Sequence, residues 1–74
     1  MEALLGQNVL LFCLNYIYAG TLAGVNETCV LLENPSIVYE TGPFTDSKYG
    51  DVQKLHTKNW YVMRTAIESF GVGK

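Results

Sequence analysis

The sequence predicts a mainly β fold: a small barrel of five to six antiparallel strands with one short helical insertion, assembled as an oligomer. Three observations carry that prediction. Apolar runs rich in β-branched and aromatic residues recur through the first half, each closed by Asn, Gly or Glu, and strands rather than helices are punctuated in this way. Gly20 falls in the middle of one of these runs, where a glycine marks a bulge or a sharp bend. The chain is also greasy for its size: of 74 residues, 49% are apolar and 16% charged, against about 25% charged in ordinary globular domains.

The first run, Val9 to Leu14, is apolar on both alternating faces, with Val9, Leu11 and Cys13 on one side and Leu10, Phe12 and Leu14 on the other. An antiparallel strand with one wet face alternates more cleanly, so both faces need cover and a second subunit is the simplest source. Before it, Met1 to Gln7 reads as one helical turn or an extended lead-in. Asn15-Tyr16 is a tight turn. Ile17 to Ala23 is the second strand, and Gly24-Val25-Asn26-Glu27 has the composition of a hairpin loop. Thr28 to Glu33 is the third strand. Asn34-Pro35-Ser36 turns the chain, and Ile37 to Thr41 is the fourth, ended by Gly42-Pro43. The segment at about 43–57 is the least regular, with Thr45, Asp46 and Ser47 suited to cap a short helix over Lys48 to Val52. Trp60 to Arg64 is the fifth strand, Thr65-Ala66 a single-turn connection, and Ile67 to Phe70 the closing strand. Gly71 to Lys74 is expected to fray. This is the element order of an SH3-like or Sm-like small barrel, whose closure removes exposed edges.

A single domain over residues 1–74 follows from the length, and a chain so short buries only about 60–65% of its unfolded surface. The surplus apolar surface calls for a homo-oligomer rather than a membrane. The best candidate span, Val9 to Val25, is broken by Asn15, Gly20, Thr21 and Gly24. The start carries no basic residue before Lys48, unlike a signal peptide. A cytoplasmic protein is expected. Two cysteines, Cys13 and Cys29, are too few for a disulfide framework and read as free thiols among apolar neighbours. The net charge of −2 argues against a nucleic-acid polymer as partner. The cations gather after Lys48, where they suit one compact anion.

Two segments carry a resemblance: Tyr18-Ala19-Gly20-Thr21-Leu22-Ala23-Gly24 leading into Cys29-Val30-Leu31-Leu32, and Trp60-Tyr61-Val62 through Ala66-Ile67-Glu68-Ser69-Phe70. Together they resemble a group of short phage and prophage β-barrel proteins of unassigned function. Small phage barrels of this kind include inhibitors of bacterial defence, some of which act as sponges for nucleotide signals. The resemblance thus implies a phage protein working in the host cytoplasm.

The residues offer little for catalysis. There is one histidine, His56, no Ser-His-Asp spacing, no phosphate-binding glycine loop and no Cys/His cluster at metal-ligand spacing, so neither an enzyme nor a cofactor is expected. Aromatic residues are the stronger lead, although most side chains of this kind serve a core or an interface. A base stacked on one of them, with a cation beside it for phosphate, is the functional alternative; such stacking is worth about 1–3 kcal/mol. The expected lining is Tyr39, Glu40, Thr41, Phe44, Lys48 and Tyr49 around the irregular segment, with Trp60 and Arg64 next. Arg64 would grip phosphate bidentately, and Glu40 would accept from the amino groups of a base. The expected function is non-enzymatic sequestration of a small anionic ligand, a cyclic or modified nucleotide. The alternatives are a protein–protein module docking on a host protein and, third, an RNA-binding barrel.

Overall fold

The computed structural model describes every residue from Met1 to Lys74. Six strands form one antiparallel sheet: β1 (Asn8–Cys13), β2 (Ile17–Val25), β3 (Cys29–Glu40), β4 (Asp51–Lys54), β5 (Asn59–Met63) and β6 (Ile67–Val72). Their order is β4-β3-β2-β1-β6, with β5 also on β3. Single 3₁₀ turns lie at Glu2–Leu4 and Arg64–Ala66, so the lead-in turn and the connection into the closing strand both match the sequence reading. No helix is long and apolar enough to cross a membrane.

The expected third and fourth strands are one. β3 runs through Asn34-Pro35 and pairs twice along its outer edge: Cys29 to Glu33 with β5, and Ser36 to Glu40 with β4. A proline inside a strand loses a ladder bond unless it sits at an edge or bulge. Here it sits at a bulge, because Ala19 pairs with Ser36 and Thr21 with Glu33, leaving Gly20 opposite two residues, Asn34 and Pro35. Asn34 takes a left-handed φ of 50°, a conformation for which asparagine is enriched. Gly20 is required opposite it: a Cβ there would lie 3.0 Å from the Glu33 carbonyl oxygen and 3.4 Å from Pro35 Cα. The corner's outer edge is also closed, since Leu55 N–H donates to the Pro35 carbonyl and Asn34 N–H to that of Lys58.

Bent at this corner, the sheet curls around one cluster made of Val9, Leu11, Leu22, Val30, Leu32 and Val62. Trp60 from β5 and Ile67 from β6 pack against the same cluster, so both ends of the sheet reach one core. Met1 and Leu4 plug it from the lead-in turn, which is tied to β2 by the Gly6 N–H to Leu22 carbonyl and Leu22 N–H to Gln7 carbonyl bonds. The sheet is open all the same: β6 ladders only with β1, and β5 only with β3.

On the opposite face of β1, Leu10 joins Ala19 and Val38 in a second buried cluster, against which Phe12, Ile17 and Tyr49 pack. Of the face for which a second subunit was the simplest expected cover, the chain buries Leu10 and half-buries Phe12 with its own residues, Tyr49 of the irregular segment among them, while Leu14 stays exposed. Three further expectations give way. No helix forms over Lys48 to Val52; residues 44–48 are turns and bends, and Asp51–Lys54 is a strand. The closing strand runs on to Val72, and the tail beyond it is bonded rather than frayed, with Gly73 N–H donating to the Asn8 carbonyl. Cys13 and Cys29 are free and half-buried, as read, and burial pushes the Cys13 thiol above its ordinary value.

Leu22 is fully buried whereas Leu14 is 74% exposed, so the two truncations should separate cleanly. Leu22→Ala is expected to cost about 2–5 kcal/mol, and Leu14→Ala less than about 0.5 kcal/mol. Urea titrations read at constant m report both.

Candidate functional site: the cleft under the 41–50 loop

The irregular segment leaves β3 through Gly42, whose φ of +67° belongs to the left-handed region where glycine carries no steric cost. A turn follows in which Asp46 N–H donates to the Pro43 carbonyl at 3.0 Å. The segment returns at Gly50, where a Cβ would come within 2.9 Å of Glu40 Cγ. Glu40 closes the base of the loop by accepting the Gly42 N–H on Oε1 at 3.1 Å.

The tail fixes the loop from the other side. Lys74 Nζ donates to the carbonyls of Thr41 at 2.6 Å, Pro43 at 3.0 Å and Lys48 at 3.0 Å. The same ammonium stands 5.1 Å from the Phe44 ring centroid and 5.2 Å from that of Tyr49, within reach of a cation–π attraction. Lys74 backbone N–H donates to the Tyr49 hydroxyl at 3.1 Å. Gly73 makes this approach possible: a Cβ there would sit 2.8 Å from the Tyr49 hydroxyl and 3.3 Å from the Val9 carbonyl carbon.

Between the pinned loop and the outer face of β1, β2 and β3 lies an open cleft of about 230 Å³. Ala19 and Val52 give it apolar surface, Val9 and Gly20 border it, and Asn8, Asn34, Ser36, Tyr49 and Lys74 give it polar groups. The Asn8 carboxamide oxygen accepts from Thr21 Oγ1 at 3.2 Å, which orients the amide and leaves its NH₂ as donor. Ser36 pairs with Lys54 across β3 and β4, and directly opposed residues share a face, so Lys54 stands on the same side of the sheet as Ser36. Two other grooves have nearly the same volume. One, of about 240 Å³, lies at the β2–β3 hairpin beside Leu31 and Tyr61; the other, of about 250 Å³, lies beside Leu14, Tyr16 and Ala66. Volume therefore does not separate the three; only the first has a lysine, Lys74, in its lining.

The residues expected from sequence fall in three places. Thr41, Phe44, Lys48 and Tyr49 come together around Lys74, Thr41 and Lys48 through their carbonyls, and of these Tyr49 lines the cleft. Glu40 anchors the loop, while Tyr39 is exposed and donates its hydroxyl to Gln53 Oε1 at 3.0 Å. Trp60 pairs with Leu32 and packs on the inner core, and Arg64 Nη1 donates to the Asn26 carbonyl at 2.8 Å at the hairpin. These last two therefore lie outside the cleft. Sequence reading missed Asn8, Asn34, Ser36 and Lys74, which come from separate segments. The one available signal was a lysine framed by glycine in Gly71-Val72-Gly73-Lys74. No group of His, Cys, Asp and Glu gathers to hold a metal. Comparison with protein-family models, curated proteins and solved structures found no match.

Gly73→Ala should push the Tyr49 ring off the tail, whereas Gly71→Ala meets nothing within 4 Å. The expected result is an altered near-ultraviolet tyrosine signal and a loss of about 1–2 kcal/mol for Gly73→Ala alone. Circular dichroism and urea titration of both variants check it.

Proposed function

We propose that the protein is a non-enzymatic binding protein that sequesters a small, flat anionic ligand, a nucleotide, in the cleft beneath the 41–50 loop. One observation carries the reading: apolar surface, an oriented amide donor, a hydroxyl, a phenol and a lysine converge on one cleft. Sites for small molecules are built in this way, with few polar groups fixing orientation over an apolar lining. Tyr49, which lines the cleft, offers a ring for stacking. Lys54, opposite Ser36 across β3 and β4, offers positive charge for phosphate, because the Lys74 ammonium is already held by three carbonyls. Because the whole chain is acidic at −2, this charge is local and suits a compact anion better than a polymer. The phage proteins that the sequence resembles add the biological setting, capture of a nucleotide immune signal in the host cytoplasm.

The cleft is smaller than the roughly 300–1,000 Å³ of a site for a drug-sized ligand. It takes one ring or one phosphate, so a cyclic dinucleotide draws on clefts from two copies. The proposal therefore includes a homo-oligomer of SH3-like or Sm-like barrels. In its favour are the bent β3, the 3₁₀ turn before β6, and free ladder edges on β5 and β6. The outer face of β3 and β5 also exposes Tyr61 and Met63 beside Leu31 and Cys29. A host protein seated on that row is the second reading.

Native mass spectrometry with a panel of cyclic and modified nucleotides reports subunit number and ligand together. The parent and Arg64→Ala should bind alike, because Arg64 lies at the hairpin against the Asn26 carbonyl, outside the cleft. Ser36→Phe, which fills the cleft, should weaken binding about tenfold or more, equivalent to ~1.4 kcal/mol. Equal binding by Ser36→Phe, or no binding by any protein, overturns the reading. A single host protein recovered in place of a nucleotide supports the second.

A further inference from the structure

We propose that residues 41–50 form a receptor for a primary alkylammonium group, occupied in cis by Lys74. The cage shares Lys74 and Tyr49 with the neighbouring cleft, but it is defined by the ammonium's own partners and not by what that cleft binds. An ammonium carries three N–H donors and no acceptor. Here all three have a carbonyl oxygen within 3.0 Å, from Thr41, Pro43 and Lys48. Two aromatic rings, Phe44 and Tyr49, complete the cage at 5.1 and 5.2 Å from the nitrogen. No carboxylate takes part, so the cage recognises N–H geometry and charge through dipoles and ring faces rather than by ion pairing.

The loop is shaped for this task. Gly42 at φ +67° carries the chain through the turn between the Thr41 and Pro43 carbonyls, a left-handed conformation that glycine adopts without steric cost. The Pro43 carbonyl is further held by the Asp46 N–H. A guanidinium is a planar fork that matches paired oxygens, and it does not direct three donors to three converging carbonyls. A quaternary ammonium suits the rings but has no N–H to give. The receptor therefore selects a primary amine: a lysine side chain, or a free alkylamine of the same reach when Lys74 is withdrawn.

Amide hydrogen exchange across residues 44–50, followed by NMR on the full chain, tests the proposal. In Lys74→Ala the loop amides should exchange about tenfold faster or more while Val30 and Leu32 amides keep their protection. Adding n-butylammonium at tens of millimolar should restore slow exchange in this variant, and tetramethylammonium at the same concentration should not. Three results overturn the proposal: unchanged exchange in Lys74→Ala, an opened loop that n-butylammonium does not close, or equal closure by the two cations. Global loss of protection is separated from loop opening by Lys74→Met, which keeps the apolar stem. Met at this position should open the loop and leave the inner strands protected; a loop that stays closed with Met assigns the effect to packing and also overturns it.

Discussion

The fold depends on the need to cover β1 on two sides. Val9 and Leu11 face one way and Leu10 the other, and all three are buried. Each fully buried aliphatic side chain is worth about 1.5–3 kcal/mol, a large fraction of the stability a small domain possesses. The inner side is satisfied by curling the sheet until β5 and β6 reach the same cluster. The outer side is satisfied with Ala19, Val38 and the Tyr49 ring, and Tyr49 belongs to a loop with no regular structure of its own. Holding that loop down is therefore part of the folding problem, and the tail does it: Gly73 bonds to Asn8, and Lys74 enters the loop with its backbone and its ammonium.

The corner at Gly20 and Asn34-Pro35 follows from the same constraint. A flat sheet cannot enclose Leu11 and Leu22 on one side, so β3 must bend, and it bends where its proline has no ladder bond to lose. The bend splits the outer edge of β3 into two stretches. β5 takes the first and β4 the second, and residues 55–58 bridge the corner between them. The cleft is a by-product of this layout. It lies where the corner, the first residues of β1 and the pinned loop meet, and so it draws one residue or two from each.

Much of this is readable in the residues. The strands of the first half, the bulge at Gly20 and the single turn at Arg64–Ala66 follow from local pattern, and local pattern is what a sequence displays. Thr45, Asp46 and Ser47 suit a helix cap, yet no helix forms over Lys48 to Val52, because Asp51 to Lys54 ladder with β3 and Lys74 takes the Lys48 oxygen. A helix so short also has little stability of its own. Asn34-Pro35 carries turn chemistry, and only its pairing opposite Gly20 turns it into a bend within one strand. Of the candidate site, the aromatic loop was legible through Phe44 and Tyr49. Asn8, Ser36 and Lys74 were not, because nothing local distinguishes them and their meeting depends on contacts across 25 to 66 positions of chain.

The account stands on the claim that one chain covers both faces of β1. A filtered nuclear Overhauser experiment on a mixture of isotope-labelled and unlabelled chains tests it most directly, by asking whether the Tyr49 ring and the methyl groups of Leu10, Ala19 and Val38 belong to the same molecule. The account predicts cross-peaks within a single chain, independent of any association between copies. Cross-peaks found only between chains, or none at all, would contradict it and return the outer face of β1 to a partner.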